Sequence, residues 1–113
     1  MLQALRAEPD AAADLVLAAD AFVYVRDLAP VIIEAARILE AGGLLAFTAE
    51  RLDEGDVELG PSLRYRHAIA HVTRAAETAG LAVTALTTLS ARNESGAPVP
   101  GLVAALAKPR PAR

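Results

Sequence analysis

The chain has 113 residues, of which 54% are hydrophobic, 22% charged and 4% aromatic, and its formal net charge is −3. This length and apolar content predict one folded domain and exclude disorder, while the mild acidity argues against a nucleic-acid partner. The absence of cysteine excludes disulfides, thiolate metal sites and thiol nucleophiles. The sequence has neither an apolar run of the ~18 residues that a membrane span needs nor the apolar core of a signal peptide. We therefore expect no membrane partner and a cytoplasmic location.

The N-terminal residues predict a short helix followed by a strand. Residues 1–7 are typical of the last turns of a helix, which Pro9 ends. Residues 14–19 form a continuous apolar run between acidic residues. This run is too short for a helix, so we predict a strand that is buried on both faces.

A helix and a second strand follow. Asp27 predicts the cap of a helix at about 28–40, with Pro30 in its first turn and Gly42-Gly43 at its end. Residues 44–48 predict a second buried strand. Two such strands joined by one amphipathic helix predict a right-handed β-α-β unit with parallel strands, whose carboxyl ends would face a ligand.

The remaining sequence predicts one more helix and an antiparallel hairpin. First comes an acidic loop at 51–60, which is either a mobile lid or a solvated surface loop. It is followed by a helix at 65–79, a strand at 81–89, a turn at 93–98 and a final strand at 102–107. The predicted fold class is therefore α/β. We expect a single domain over residues 1–108 and a frayed polar tail at 109–113.

Five segments carry a family resemblance. Residues 14–25, 36–43 and 47–50 resemble the fourth strand, the following helix end and the fifth strand of class I S-adenosylmethionine-dependent methyltransferases. Residues 63–67 and 98–102 resemble the subgroup that is often fused to tetratricopeptide repeats. The resemblance covers nearly the whole chain and corresponds to the C-terminal half of that fold.

The resemblance implies a truncated Rossmann-like sheet with the family strand order 4-5-7-6. This sheet would have two parallel strands, a C-terminal antiparallel hairpin and helices packed against it. The sequence contains no G-x-G word, and its glycine pair Gly42-Gly43 is predicted to end a helix and not to open one. The first three strands and the glycine-rich cofactor loop are therefore expected to be missing. S-adenosylmethionine is the implied cofactor, but we do not expect this chain alone to bind it tightly.

Truncation would change the position of the strand at 14–19. In the complete fold this strand is central, whereas here it becomes a hydrophobic edge with unpaired backbone groups. We expect the same strand of a second copy to cover this edge, which would give a two-fold homodimer with a continuous sheet.

The resemblance assigns candidate site residues at the ends of the strands. Ala19 and Asp20 would lie beside the cofactor, where Asp20 is either a partner for an ammonium or proton, or only a turn residue. Phe22 and Tyr24 either line a substrate pocket or anchor the core. Glu50 either faces the substrate or pairs in solvent.

Two further candidates lie on the predicted second helix. Tyr65 and His67 match the subgroup's pattern and suggest a role on the substrate side, although a partly buried helix face explains them more simply. His67 and His71 have the spacing of two metal ligands on a helix. Two ligands without a flanking glutamate, among several arginines, do not make a site, so we predict no metal.

Three functions follow from these observations. The first is a methyltransferase fragment acting on a small molecule and inactive alone. The second is a non-catalytic α/β module that self-associates. The third is an ordinary small α/β binding domain whose likeness is accidental.

Overall fold

The structure, a computed structural model, describes residues 1–94 and 97–110, without the side chains of 90–98. A mixed sheet carries three α-helices and one 3-10 turn in this part of the chain. In chain order the elements are α1 (Leu2–Ala7), β1 (Ala13–Ala18), the 3-10 turn (Phe22–Tyr24), α2 (Ala29–Ile38), β2 (Leu39–Arg51), β3 (Val57–Leu59), β4 (Tyr65–His67), α3 (Ile69–Ala79), β5 (Ala82–Glu94) and β6 (Ala97–Ala107).

Two parallel strands, β1 and β2, joined through α2, form one side of the sheet, and the predicted β-α-β unit is present. The other edge of β2 pairs with β6, which in turn pairs with β5, and both pairings are antiparallel. The four long strands therefore lie in the order β1-β2-β6-β5. Beyond the end of β1, the short strand β4 continues along the same edge of β2, and β3 pairs with β4.

One face of the sheet carries the hydrophobic core. Alternate residues of the central strands point to this face, and α2 and α3 pack on them, because side chains along a strand alternate between its faces. The core of fully buried sheet and helix residues includes Leu45, Phe47, Leu102, Ala104, Leu106, Ile32 and Val72.

The opposite face is apolar but lacks a helical cover within the described residues. Strand pairing aligns rows of side chains across it: Leu15, Leu44, Ala107 and Ala82 form one row, and Leu17, Ala46, Ala105 and Ala85 form the next. Leu15 and Leu17 are 52% and 70% exposed. The prediction that strand 14–19 is buried on both faces is therefore wrong, because helices cover one face only and β1 pairs with β2 alone.

The boundary between α2 and β2 also differs from the prediction. The helix ends at Ile38, and Leu39 is already extended, so Gly42-Gly43 lie inside β2 and do not end the helix. The ammonium group of Lys108 donates to the carbonyl oxygens of Ala36 and Leu39 at 2.8 and 2.7 Å. The residue that follows β6 therefore satisfies carbonyl groups at the end of α2, where the sequence had predicted the glycine pair.

The helix predicted at 65–79 begins only at Ile69. Tyr65–His67 instead form β4, because Arg66 and His67 pair with Glu50 and Arg51 of β2. The acidic segment 51–60, predicted as a loop, contains the strand β3, and Ala68 donates its backbone N–H to the carbonyl of Asp56. The sequence missed this hairpin because strands of three residues have no measurable periodicity.

The C-terminal hairpin is present and longer than predicted. Its strands are Ala82–Glu94 and Ala97–Ala107, so the predicted turn at 93–98 falls partly outside the described residues, as does most of the predicted tail at 109–113. Among the described residues, every helix is too short or too polar to cross a membrane.

Candidate functional site

The candidate site lies at the carboxyl ends of β1 and β2, where ligands bind in open α/β sheets. Three segments converge there: the 3-10 turn after β1, the end of β2, and the β3–β4 hairpin that extends along β2 beyond β1. This convergence brings together residues that are far apart in the sequence.

Arg64, in the connection between β3 and β4, links all three segments. Its Nε donates to Oε2 of Glu50, its Nη2 donates to Oδ1 of Asp20, and its Nη1 donates to the Tyr24 hydroxyl at 3.1 Å. The guanidinium carbon also lies 5.5 Å from the centre of the Tyr24 ring, within cation–π distance. The hydrogen bonds that Arg64 donates to Asp20 and, next in effect, to Glu50 raise the pKa of Arg64 above its ordinary value, so the guanidinium stays charged.

Asp20 holds an unusual backbone conformation at the end of β1. Its φ of +54° lies in the left-handed region, which non-glycine residues rarely adopt. Its backbone N–H donates to the Thr48 hydroxyl at 2.8 Å, which ties the end of β1 to β2. The side chain of Asp20 is 70% exposed, and Ala19 beside it is also exposed, so this carboxylate faces solvent while Arg64 holds one of its oxygens.

Glu50 is the buried carboxylate of the site. Its side chain is only 3% exposed, and its Oε2 accepts a hydrogen bond from the Nε of Arg64. The Nε of Arg66 lies 4.0 Å from its Oε1. Glu50 therefore does not form an ion pair in solvent, because its carboxylate is buried beside two arginines.

The aromatic candidates separate into two environments. Phe22 is 1% exposed and its ring centre lies 4.6 Å from that of Phe47, which is a core position. Tyr24 is 62% exposed and faces the site through Arg64. Tyr65 is half-buried in β4, opposite Leu59.

His67 and His71 both hold the segment that leads into α2. The Nε2 of His67 lies 2.8 Å from the carbonyl of Val25 and 3.1 Å from that of Arg26, so Nε2 carries the proton that is donated. His67 is fully buried, and its Nδ1 has no hydrogen-bond partner within the described residues. Burial lowers the pKa of His67 below its ordinary value.

His71 takes the opposite tautomer. Its Nε2 accepts the backbone N–H of Leu28 at 3.1 Å, and its Nδ1 faces Oδ1 of Asp56 at 3.1 Å. The two imidazole ring centres lie 5.2 Å apart. The ring nitrogens that have a hydrogen-bond partner, Nε2 of His67 and both nitrogens of His71, are bonded to other groups of the protein. Within residues 1–94 and 97–110 no group of three or more metal-ligating side chains occurs.

Two cavities flank the β3–β4 hairpin. The first, of about 410 Å³, lies between the start of α2 and α3 and is lined by Arg26, Asp27, Asp56, His71, Arg74 and Thr78 among others. The second, of about 420 Å³, lies beside the end of β2 and is lined by Arg51, Asp53, Glu54, Glu58, Arg66 and Pro100 among others. Both have the volume of small-molecule sites.

The sequence analysis missed Arg64 and Thr48 as site residues. Arg64 belongs to the segment 63–67 that carries the family resemblance, so the signal was present. Its function as a link depends on the β3–β4 hairpin, which the sequence did not predict. The structure brings Asp20, Tyr24 and Glu50 together around Arg64, whereas Phe22 lies in the core and His67 lies beneath the site.

The described residues fit S-adenosylmethionine only in part. The exposed Asp20 carboxylate at a strand end can meet a cationic group of a ligand. None of the described strands, however, leads through a glycine-rich turn into a helix that could hold the rest of such a molecule.

The comparison with protein families gives one match. Residues 2–47, which are less than half of the chain, match the family described as "Methyltransferase domain". No curated protein matches the sequence.

Several solved structures share the fold. An S-adenosylmethionine-dependent methyltransferase from Methanosarcina mazei superposes with a TM-score of 0.74 at 14% identity, over 91% of this chain and 62% of that one. The N1-methyltransferase of 1,6-didemethyltoxoflavin from Burkholderia thailandensis, solved with S-adenosylhomocysteine, gives 0.72 at 12% identity, over 94% and 48%. The [4+2]-cyclase SpnF gives 0.75 at 15% identity, over 91% and 53%.

These superpositions show that the chain has the fold found in S-adenosylmethionine-dependent methyltransferases. It spans about half to three fifths of the length of the solved structures that it matches. Because one of these structures is described as a cyclase, the fold alone does not define the reaction.

Proposed function

We propose that this chain is the C-terminal half of an S-adenosylmethionine-dependent methyltransferase domain that acts on a small molecule. The observation that carries the proposal is the asymmetry of coverage: nearly all of this chain superposes on only part of each methyltransferase. In family numbering, β1, β2, β6 and β5 would then be strands 4, 5, 7 and 6. The relation to methyltransferases fused to tetratricopeptide repeats, the single domain over 1–108 and the cytoplasmic location stay predictions from the sequence.

The uncovered surfaces of the sheet support the proposal. Beside residues 44–48 of β2, the face opposite α2 and α3 is formed by rows of alanine, leucine, valine and threonine, such as Thr48, Val103 and Thr87, and these rows contain no charged residue. The outer edge of β1 is apolar as well. An apolar sheet face and a strand edge normally pack against another layer, so a complementary half, on the same polypeptide or on another, would bury both.

The chemistry that the cofactor would supply is an electrophilic methyl group on a sulfonium. On this chain, Ala19 and Asp20 would lie at its amino acid part, and Tyr24 and Glu50 would lie on the substrate side, with Glu50 acting through Arg64. Tyr65 and His67 stay substrate-side predictions, although the burial of His67 makes a supporting role beneath the site simpler. Because the glycine-rich half is needed for most contacts, the isolated chain should bind S-adenosylhomocysteine only weakly.

A titration of the isotope-labelled chain with S-adenosylhomocysteine tests this proposal by NMR. We expect a Kd of about 1 mM or weaker, with shifts confined to residues 19–24 and 48–51. The matched variant Asp20→Asn should weaken the response while the protein stays folded, because asparagine also tolerates a left-handed backbone. Shifts located elsewhere, or none at about 10 mM ligand, would contradict the assignment.

A second measurement concerns the complementary half. Translation of the DNA upstream of Met1 in the same frame should give an acidic G-x-G-x-G word after a predicted strand. The longer product should then bind S-adenosylhomocysteine in calorimetry at least a hundredfold more tightly than the 113-residue chain.

A second candidate function is a non-catalytic module that pairs with a second copy of itself. The observation that favours it is the edge at 14–19, where Leu15 and Leu17 are exposed beside open backbone groups. Antiparallel pairing about a two-fold axis at Val16 would place Leu15 opposite Leu17 of the second copy on the same face, which makes the strand self-complementary. Light scattering should then give a dimer for the native chain and a monomer for Leu17→Lys, whereas a stable native monomer at micromolar concentration would exclude this function.

A further inference from the structure

The Arg64 cluster joins one buried acidic residue to two exposed site residues. Glu50 is 3% exposed and Arg64 is 16% exposed, whereas Asp20 is 70% exposed and the whole of Tyr24 is 62% exposed. The bonds therefore run from the interior of the sheet to the surface at the ends of the strands.

The buried part of the cluster, the ion pair of Glu50 and Arg64, has a large desolvation cost for a small domain. Removing a carboxylate and a guanidinium from water costs several kcal/mol per ion, and apolar residues of similar volume often give equal or greater stability. The planar guanidinium group nevertheless fixes several hydrogen-bond acceptors at defined angles. Here the acceptors lie on three different segments.

The exposed part of the cluster is held in a strained conformation. A left-handed backbone at a non-glycine residue costs about 1–2 kcal/mol and persists only when its surroundings maintain it. For Asp20 two contacts do so: the Thr48 hydroxyl on its backbone N–H, and Arg64 on its carboxylate. Strain of this kind clusters at sites where a side chain must be aimed.

We propose that Glu50 and Arg64 are positioning residues, which fix the Asp20 carboxylate and the Tyr24 ring in the orientation that a bound ligand meets. Glu50 orients the guanidinium from below, and Arg64 orients the two exposed groups. The inference rests on the proposed function for the identity of the ligand, but the link itself can be measured without one.

The ligand-free test uses Glu50→Gln and Arg64→Lys, with Arg51→Lys as the matched control. Arg51 lies at the end of the same strand but pairs with Asp53 and Thr88. We expect both cluster variants to move the Asp20 backbone and Tyr24 ring signals in NMR spectra, and the control to leave them in place. Unmoved signals in a folded Arg64→Lys protein would overturn the proposal even if Glu50→Gln fails to fold.

The ligand test measures S-adenosylhomocysteine binding in a double-mutant cycle. Glu50→Gln should raise the Kd about tenfold in the native background and clearly less in the Asp20→Asn background, because part of the effect of Glu50 passes through Asp20 and part through Tyr24. An equal loss in both backgrounds would mean a merely structural role and would overturn the proposal. If the native chain shows no binding at all, the proposed function fails, and the ligand-free signals still decide the positioning link.

Discussion

The Nε2 atom of His71 accepts a hydrogen bond from the backbone N–H of Leu28 at 3.1 Å, so a side chain of α3 satisfies a donor at the start of α2. The first N–H groups of a helix have no partner within the helix, and Leu28 is fully buried. Asp27, the predicted cap, instead accepts the N–H of Ala29 at 3.0 Å. The start of α2 therefore depends on a tertiary contact as well as a local one.

Replacing His71 should test this dependence. His71→Leu leaves the Leu28 N–H buried without an acceptor, which costs about 1–3 kcal/mol in the free energy of unfolding. His71→Gln should lose less, because the amide oxygen of glutamine can reach the position of Nε2. Urea unfolding at pH 7.5 measures both variants, and equal losses would argue that packing, not the hydrogen bond, is what His71 contributes.

The stability of the domain should fall as the pH is lowered through the range of histidine. Burial lowers the pKa of His67 in the folded state, while the unfolded chain has the ordinary value near 6.5. Below about pH 6.5 the unfolded state therefore binds more protons, and its free energy falls relative to that of the folded state. Above that pH the contribution of His67 is fully present.

Urea midpoints measured between pH 7.5 and 5 should show this loss, and His67→Gln should remove most of it. Glutamine keeps a donor toward the Val25 carbonyl without the titration. Ala70→Ser, at an exposed position of α3, is the control and should retain the pH dependence. A native-like pH dependence in His67→Gln would assign the effect to another group.

The sequence predicted the parts of the fold that depend on long apolar runs. The β-α-β unit and the final hairpin followed from segments such as 14–19, 44–48 and 102–107, whose apolar character does not depend on distant residues. The predicted burial of β1 was wrong, because the cover of a strand is a property of the whole assembly. Leu15 and Leu17 are apolar, as residues of a central strand are, but their side chains are exposed, as at the edge of a sheet.

The sequence predicted individual residues of the candidate site but not the contacts between them. Asp20, Tyr24 and Glu50 follow from their positions at strand ends, but nothing local indicates that Arg64 joins them. That link requires the β3–β4 hairpin, whose three-residue strands have no periodic signal. Likewise, the pattern 67–71 suggested metal ligands or a helix face, whereas the structure uses both imidazoles to bind backbone groups of 25–28.

Lys108 should contribute measurably to stability although it lies near the end of the described chain. Its ammonium group donates to the carbonyls of Ala36 and Leu39 and also lies at the negative end of the α2 dipole. Lys108→Met should therefore lower the free energy of unfolding by about 1–2 kcal/mol. The exposed Arg6→Met, in the last turn of α1, is the control and should change it by less than about 0.5 kcal/mol.

Alanine substitutions at two glycines should have different costs for different reasons. Gly80 ends α3 with a φ of +76°, and a Cβ there would meet no atom within 4 Å, so Gly80→Ala should cost only the left-handed backbone, about 1 kcal/mol. A Cβ on Gly43 would lie 2.9 Å from the carbonyl oxygen of Glu40 and 3.3 Å from that of Asp14, both backbone atoms that cannot turn aside. Gly43→Ala must therefore displace the start of β1 or β2, and we expect a loss of about 2–3 kcal/mol. Because Asp20 closely follows the other end of β1, that displacement should also move the Asp20 amide signal, whereas Gly80→Ala should leave it unchanged. Equal losses for the two variants, with an unmoved Asp20 signal, would mean that the contact between β1 and β2 at Gly43 is looser than the structure describes.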